Sequence, residues 1–274
     1  MNDMNRAAIS VVMVDGSFRE RFHAVDFFGR QTFEDFELLW VEYYDDVDPS
    51  LERKLASRHG FRSIALGRSG IYHSSYCFNA GIRASAADLL VIPDGDVAVE
   101  SDFLERVWDE HVDNEKLVMY VHRHNEPREQ HVPETSLEHL RAVARVTNPE
   151  NYGGCLTVRK KWLQAINGYE QHWVFGQGEH ANGRDVYTRF KNLGLHIQWH
   201  PDLKLYHPWH TGTLAAASSY RLQQIVIDYR ARSLDTSAFE GLDQSRNSAP
   251  PSDLTARIEA EQASIADSTR SATC

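Results

Sequence analysis

Ala87-Asp88-Leu89-Leu90-Val91-Ile92-Pro93-Asp94-Gly95-Asp96 is the stretch on which the fold is read. Leu89 to Ile92 is an unbroken apolar run, the pattern of a central strand covered on both faces, and it stops abruptly in a proline-acid-glycine-acid turn. Upstream, Ser74 or Ser75 can cap a helix running through Ile82 to Ala87. Further upstream, Ile9 to Val14, Phe36 to Glu42 and Phe61 to Leu66 read as strands. Helical stretches separate them, one through Phe22, Val25 and Phe28 and one opened by Pro49, whose missing N–H costs nothing in a first helical turn. This alternation predicts an α/β fold with a mostly parallel sheet.

Downstream, Ser101 or Asp102 opens a helix carrying Phe103, Leu104, Val107 and Trp108, and Leu117 to Val121 is the next strand. His122 to Glu134 is polar, holds two prolines and lacks periodicity, so it reads as a loop over the active face. A second block starts at Gly153-Gly154 with a strand to Val158, a short helix around Trp162 and the turn Asn167-Gly168. After Asp235 the chain is rich in Ser, Ala, Thr and Asp and has no aromatic beyond Phe239, which predicts a flexible tail with at most a weak helix from Leu254 to Ile265. The expected organisation is one large domain: a donor-binding half over 1–115, an acceptor and catalytic half over 116–234, and the tail over 235–274.

Composition narrows the function classes. With 42% hydrophobic and 25% charged residues, the 274-residue chain is ordinary globular protein. Its formal charge of −10 disfavours partners read through a phosphate backbone or an anionic membrane. The longest apolar run, Ala7 to Val14 with Ser10 inside it, falls short of the roughly 18 residues of a membrane span. Cys77, Cys155 and Cys274 are odd in number and form no CxxC pair, so neither a disulfide framework nor a cysteine zinc site is indicated, and a cytoplasmic setting is expected. His111, His122, His124, His131 and His139 are scattered among polar residues and read as solvated surface histidines.

Three pieces carry chemistry. Asp94 and Asp96 end a buried strand, where ligands bind in open α/β sheets, and two carboxylates there suit Mg2+ or Mn2+; the alternative is an ordinary acidic turn. His207-Pro208-Trp209-His210 follows the apolar run Leu203 to Tyr206. Its histidines could add imidazole ligands favouring Mn2+, or be core histidines bonded to backbone. The third piece runs from Gly176 to Phe190. Asn182 can cap a helix whose Val186, Phe190 and Leu193 share a face, and Gly194 stops it. Asp185 in its first turn is either good helix chemistry with Arg189 at i+4 or a general base; Glu179, on a glycine-flanked loop, is the other candidate base.

The order of these parts resembles the family 2 glycosyltransferases of the GT-A fold, over roughly Ile9 to His210. Asn79-Ala80-Gly81-Ile82 followed by Ala87 to Asp96 is similar to that family's helix and metal motif. Phe36 to Glu42 looks like its nucleotide-binding strand, with Glu42 in place of the usual aspartate, and His207 or His210 looks like its late metal histidine. Gly153-Gly154 with Arg159, then Ile166 to Glu170, resembles the acceptor side. The resemblance implies a Rossmann-like mixed sheet flanked by helices, Glu42, Asn79, Asp94 and Asp96 on the donor, and a metal held by Asp94, Asp96, His207 and His210. It implies transfer of a sugar, as in a hexosyltransferase, from a nucleotide diphosphate sugar (a UDP-sugar is favoured) to a hydroxyl of a glycan, lipid-linked or small-molecule acceptor, with inversion. A homodimer is left open.

The chain also departs from the family. Val14-Asp15-Gly16-Ser17 replaces the usual proline and Tyr-Asn or Arg-Asn pair, and Phe78 stands where a basic residue often precedes the asparagine. The base motif is not intact: anchoring on Asp185 puts Asn182-Gly183 in its slot, and anchoring on Gly178 puts Glu179 there. A sugar-phosphate nucleotidyltransferase would also use paired aspartates but wants a better Gly-rich loop than Gly16 to Arg19. A non-catalytic sugar-binding protein on the same fold would explain the disturbed base motif.

Overall fold

The computed structural model describes residues 7–176, 181–211 and 217–272. In chain order the elements are β1 (Ile9–Asp15), α1 (His23–Phe28), β2 (Phe36–Glu42), α2 (Pro49–Ala56), β3 (Phe61–Ala65), α3 (Ser74–Ala84), β4 (Leu89–Pro93), α4 (Phe103–Val112) and β5 (Leu117–Asn125). There follow α5 (Leu137–Val143), β6 (Arg145–Val146), β7 (Cys155–Arg159), α6 (Lys160–Ala165), α7 (Asn182–Asn192), β8 (His196–His207), α8 (Ala217–Ser233) and α9 (Ser252–Ala272). The strands form one mixed sheet in the order β3-β2-β1-β4-β7-β5-β6, with β8 on the opposite edge of β5 from β7.

Strand direction decides where a ligand can bind. β2, β1 and β4 run parallel; β7 is antiparallel to both β4 and β5, so β5 runs with β4, and β8 runs parallel to β5. Asp15, Glu42, Pro93, Asn125 and His207 therefore all end strands on one edge of the sheet. Both faces are covered, which is why β4 is apolar throughout and β1 is apolar but for buried Ser10 and Asp15: Ile9, Val11 and Met13 pack on one side with Phe28 and Phe103, and Val12 and Val14 on the other with Cys77 and Ile82.

Several expectations change. His122 to Asn125 is strand, because β8 supplies it with a parallel partner across Asn125↔His207. The serines at 74 and 75 do not cap α3: His73 holds that position, and Ser74 instead accepts a hydrogen bond from Asn182 Nδ2 at 2.7 Å. Asn182 accordingly lies inside α7, with Ala181 at its cap. His111 is fully buried, its Nε2 2.7 Å from Thr157 Oγ1, and burial drives its pKa down to about 4. His131 and His139 are not free surface groups either; each lies 2.8 Å from a carboxylate oxygen of buried Glu126.

The segment after Asp235 packs. Phe239, Leu254 and Ile258 join Val174, Phe175 and Val226 in a third apolar cluster. A helix beginning two residues after Pro250 thus recovers the apolar contacts that composition alone made improbable. Among the described residues no helix is long and apolar enough to cross a membrane. Leu254 is fully buried, so Leu254→Ala should lower unfolding free energy by about 2–5 kcal/mol in chemical denaturation; a change within about 0.5 kcal/mol, the surface range, would mean that α9 contributes no core.

Candidate active site

The site is built where β4 and β8 end. Past Pro93 the backbone is pinned twice: Asp94 N donates to Gly154 O at 2.9 Å, and Ala98 exchanges hydrogen bonds of 2.7 and 2.9 Å with Tyr206. The second bridge sets Asp96 against His207. Gly95 between the two aspartates sits in tight space, since a Cβ there would lie 3.2 Å from both Arg19 Nε and Trp40 Cη2.

Asp96, His207 and His210 each offer one ligand atom, all within 4.8 Å of one another. Asp96 Oδ1 faces His207 Nε2 at 3.4 Å, and Asp96 Oδ2 lies 3.5 Å from His210 Nε2. The two imidazole Nε2 atoms are 3.2 Å apart. Asp96 Oδ1 is buried with no hydrogen-bond partner among the described residues, an orphaned acceptor aimed at the histidines. Arg19 Nε donates to Asp96 Oδ2 at 3.2 Å, and His23 Nε2 lies 2.8 Å from the Asp96 carbonyl oxygen. Burial would raise the Asp96 carboxyl, yet Arg19 and the close contacts with His207 and His210 hold it well below the usual carboxylate range. The same bond to Asp96 raises the pKa of His210.

Asp94 stands apart from that cluster. Its Oδ2 accepts from Arg123 Nη1 at 2.7 Å, and burial raises its pKa against the pull of that guanidinium. Asp94, Asp96, Arg19, Arg123, His23, His207 and His210 border a cavity of about 600 Å3, with Phe18, Pro208 and Trp209 as apolar wall.

Other expected site residues lie elsewhere. Asn79 is fully buried and clasps Tyr169, donating to its carbonyl and accepting from its N–H, both at 2.8 Å, so it secures a turn and is absent from the cavity wall. Glu42 is 2% exposed; its carboxylate accepts from the backbone N–H groups of Tyr43, Tyr44 and Ser17, and it is absent from the cavity wall.

Asp185 is corrected as a base. Its side chain is wholly out of water, Oδ2 accepting from Arg189 Nε at 2.9 Å and Oδ1 from Arg230, whose other amino group holds Glu170. Burial opposes ionisation there, but the two guanidiniums win and keep Asp185 below the ordinary aspartate range. A carboxylate so engaged, fully buried and absent from the cavity wall, is not presented to a substrate proton. Glu179 lies outside the described residues.

Sequence reading overlooked Arg19, Arg123, His23 and Glu126. Arg123 had a signal, since continuing the Leu117 to Val121 strand by two residues reaches it at the sheet edge. Glu126 had none: it accepts from Trp209 N at 2.8 Å while its own N–H donates to His207 O at 2.9 Å, so it holds the HPWH segment from a distant part of the chain.

No family model matches the chain, and no curated protein matches it in sequence. Solved structures do share its fold. S. aureus TarS residues 1–349 superpose with a TM-score of 0.54 at 14% identity, and TarS 1–349 in complex with UDP with 0.56 at 12%. Each likeness covers 81% of this chain and 64% of TarS 1–349, so the chain matches under two thirds of that length. At these identities what is shared is the fold, and it is the GT-A-type α/β fold that the resemblance implied.

Asp185→Asn should cost about 3–5 kcal/mol of stability, because it leaves Arg189 and Arg230 buried without their shared counter-charge. Since its folded pKa lies below the unfolded value of about 3.9, the contribution of Asp185 is present above that pH and is lost as pH falls through the folded pKa. Denaturant titrations of both proteins at neutral pH and near pH 3 read this: the gap should narrow at the acid end.

Proposed function

We propose that the protein is a metal-dependent glycosyltransferase that moves a sugar from a nucleoside diphosphate sugar, a UDP-sugar by preference, to an acceptor hydroxyl. The convergence of Asp96, His207 and His210 on one point of a cavity of about 600 Å3, at the edge where parallel strands end, carries this reading. A fold shared with a UDP-bound protein supports the choice of donor.

The residues fit a divalent cation. Two imidazoles and one carboxylate are a borderline donor set, better suited to Mn2+ than to Mg2+, which prefers oxygen. Asp96, His207 and His210 would hold it, while Asp94, tied to Arg123, serves the donor side. When bound, the cation supplies positive charge to the departing diphosphate. The chain's own part is to fix that geometry: Ala98 and Tyr206 lock Asp96 beside β8, and Glu126 holds the backbone between the two histidines. Phe18, Pro208 and Trp209 give the cavity an apolar wall that limits water at the reacting carbon.

With Asp185 consumed by arginines, Glu179 is the proposed general base. In sequence it precedes by three residues Asn182, with which α7 begins. Attack by the deprotonated hydroxyl opposite the diphosphate inverts the anomeric centre.

Mn2+ titration by calorimetry tests the site directly. Asp96→Ala should abolish binding, and His210→Ala or His207→Ala should weaken it by about 10- to 100-fold, the range for loss of groups that make or orient a metal site. Affinity should rise with pH through the raised pKa of His210, because the cation must displace its proton. Chelator should stop release of UDP from a UDP-sugar. Glu179→Gln should lower transfer strongly with UDP affinity retained. Unchanged Mn2+ affinity in all three metal variants, or full turnover in excess chelator, would overturn the metal reading. UDP binding without any UDP release would leave a sugar-nucleotide binding protein.

A further inference from the structure

The opening strand lacks the residues that would meet a diphosphate, and the structure places an unexpected group there. Phe78, standing where a cation was expected, stacks on Tyr169 at 4.3 Å between centroids and offers no charge. Arg19 lies at the right edge of the sheet instead. Its Nη1 donates to Asp15 Oδ1 at 2.8 Å and to Val14 O at 3.0 Å, and its Nε donates to Asp96 Oδ2 at 3.2 Å. Its Nη2 makes no hydrogen bond among the described residues, and the side chain borders the cavity. Asp15, the terminal residue of β1, is 2% exposed and is itself fixed by the N–H of Gly16 at 2.9 Å.

We propose that Arg19, aimed by Asp15, is the group that binds the diphosphate of the donor and stabilises it as it leaves. This rests on the donor reading above. Asp94 and Asp96 line the place where a polyanion would lie, and Arg123 keeps one amino group on Asp94, so a second cation on the β1 side adds the charge that two carboxylates otherwise oppose. Arg19 has the form for it, because a planar guanidinium can keep one edge on a carboxylate while another meets phosphate oxygens. Of its bonds, the one to Asp96 is the longest. Were Asp96 to hold a cation, Nε would be released, and Asp15 and the Val14 carbonyl would keep the guanidinium in place. Asp15 is thereby a positioning residue, and Arg19 touches substrate.

Titrations of the full chain with UDP and with uridine, each in Mn2+ and in chelator, separate a phosphate contact from a structural one. Arg19→Gln should weaken UDP binding by about 10- to 100-fold in both conditions, the value of a charge-assisted hydrogen bond, and leave uridine affinity unchanged. Arg19→Lys, which keeps charge and loses the fork, should show a smaller loss of the same kind and decides the matter if the glutamine variant does not fold. Asp15→Asn should reduce UDP affinity severalfold, again without affecting uridine. Equal losses for UDP and uridine, or undiminished UDP affinity in the Arg19 variants, would overturn the inference while leaving the donor reading intact. A wild-type protein that binds neither ligand would overturn both.

Discussion

Two guanidinium groups and two carboxylates, all entirely out of water, meet where α7, α8, the 166–170 turn and the 237–240 segment come together. Arg230 bridges Asp185 and Glu170, and Arg189 holds Asp185 while donating to the carbonyls of Ile166 and Gly168 at 2.7 and 2.6 Å. Glu170 in turn accepts from the backbone of His172, Phe239 and Glu240. Charges so buried tolerate no missing member, since each would be left desolvated and alone. One constraint thus fixes the start of α7, the turn that Asn79 clasps, and the course of the chain after Asp235.

The crevice obeys the opposite logic. Around Asp96 the charges are only partly buried, and they are imperfectly satisfied: an orphaned Oδ1, two imidazoles facing each other, a guanidinium with an open edge. Such incompleteness is costly unless something arrives to complete it, which is the ground for proposing a site there and not at Asp185, whose two oxygens are both partnered. Both places contain aspartate and arginine at short range. Whether both carboxylate oxygens are partnered, more than composition, separates the two places.

Much of the fold was legible in the chain. β2 was read at its full length, β1, β3 and β4 to within one residue, and the turn Asn167-Gly168 and the stop at Gly194 are confirmed by positive φ angles at Asn167, Gly168 and Gly194. These are local properties: apolar runs and glycine stops act within a few residues. The acidic turn after β4 and the HPWH segment were also visible, because residue types able to hold a metal stand out by their spacing. Less legible was the polar stretch after Val121, where strand pairing with β8 outweighs weak propensity, and the tail, whose few apolar residues suffice because α8 supplies the facing surface.

What the sequence by itself determined is therefore the alternation of strands and helices, the strand end on which Asp94 and Asp96 sit, and the presence of two histidines three residues apart. Only the tertiary structure decided which charges face the crevice. From Val121↔His200 an unbroken register would set Lys204 opposite Asn125; the irregularity after Val121 sets His207 there instead, delivering an imidazole to Asp96. Likewise nothing within a few residues of Asp185 reveals that Arg230 lies against it, or that Arg19 reaches Asp96. Partners separated by 45 and 77 residues are brought together by chain packing, and whether a carboxylate is a base, a ligand or a buried anchor depends on those partners rather than on its neighbours in sequence.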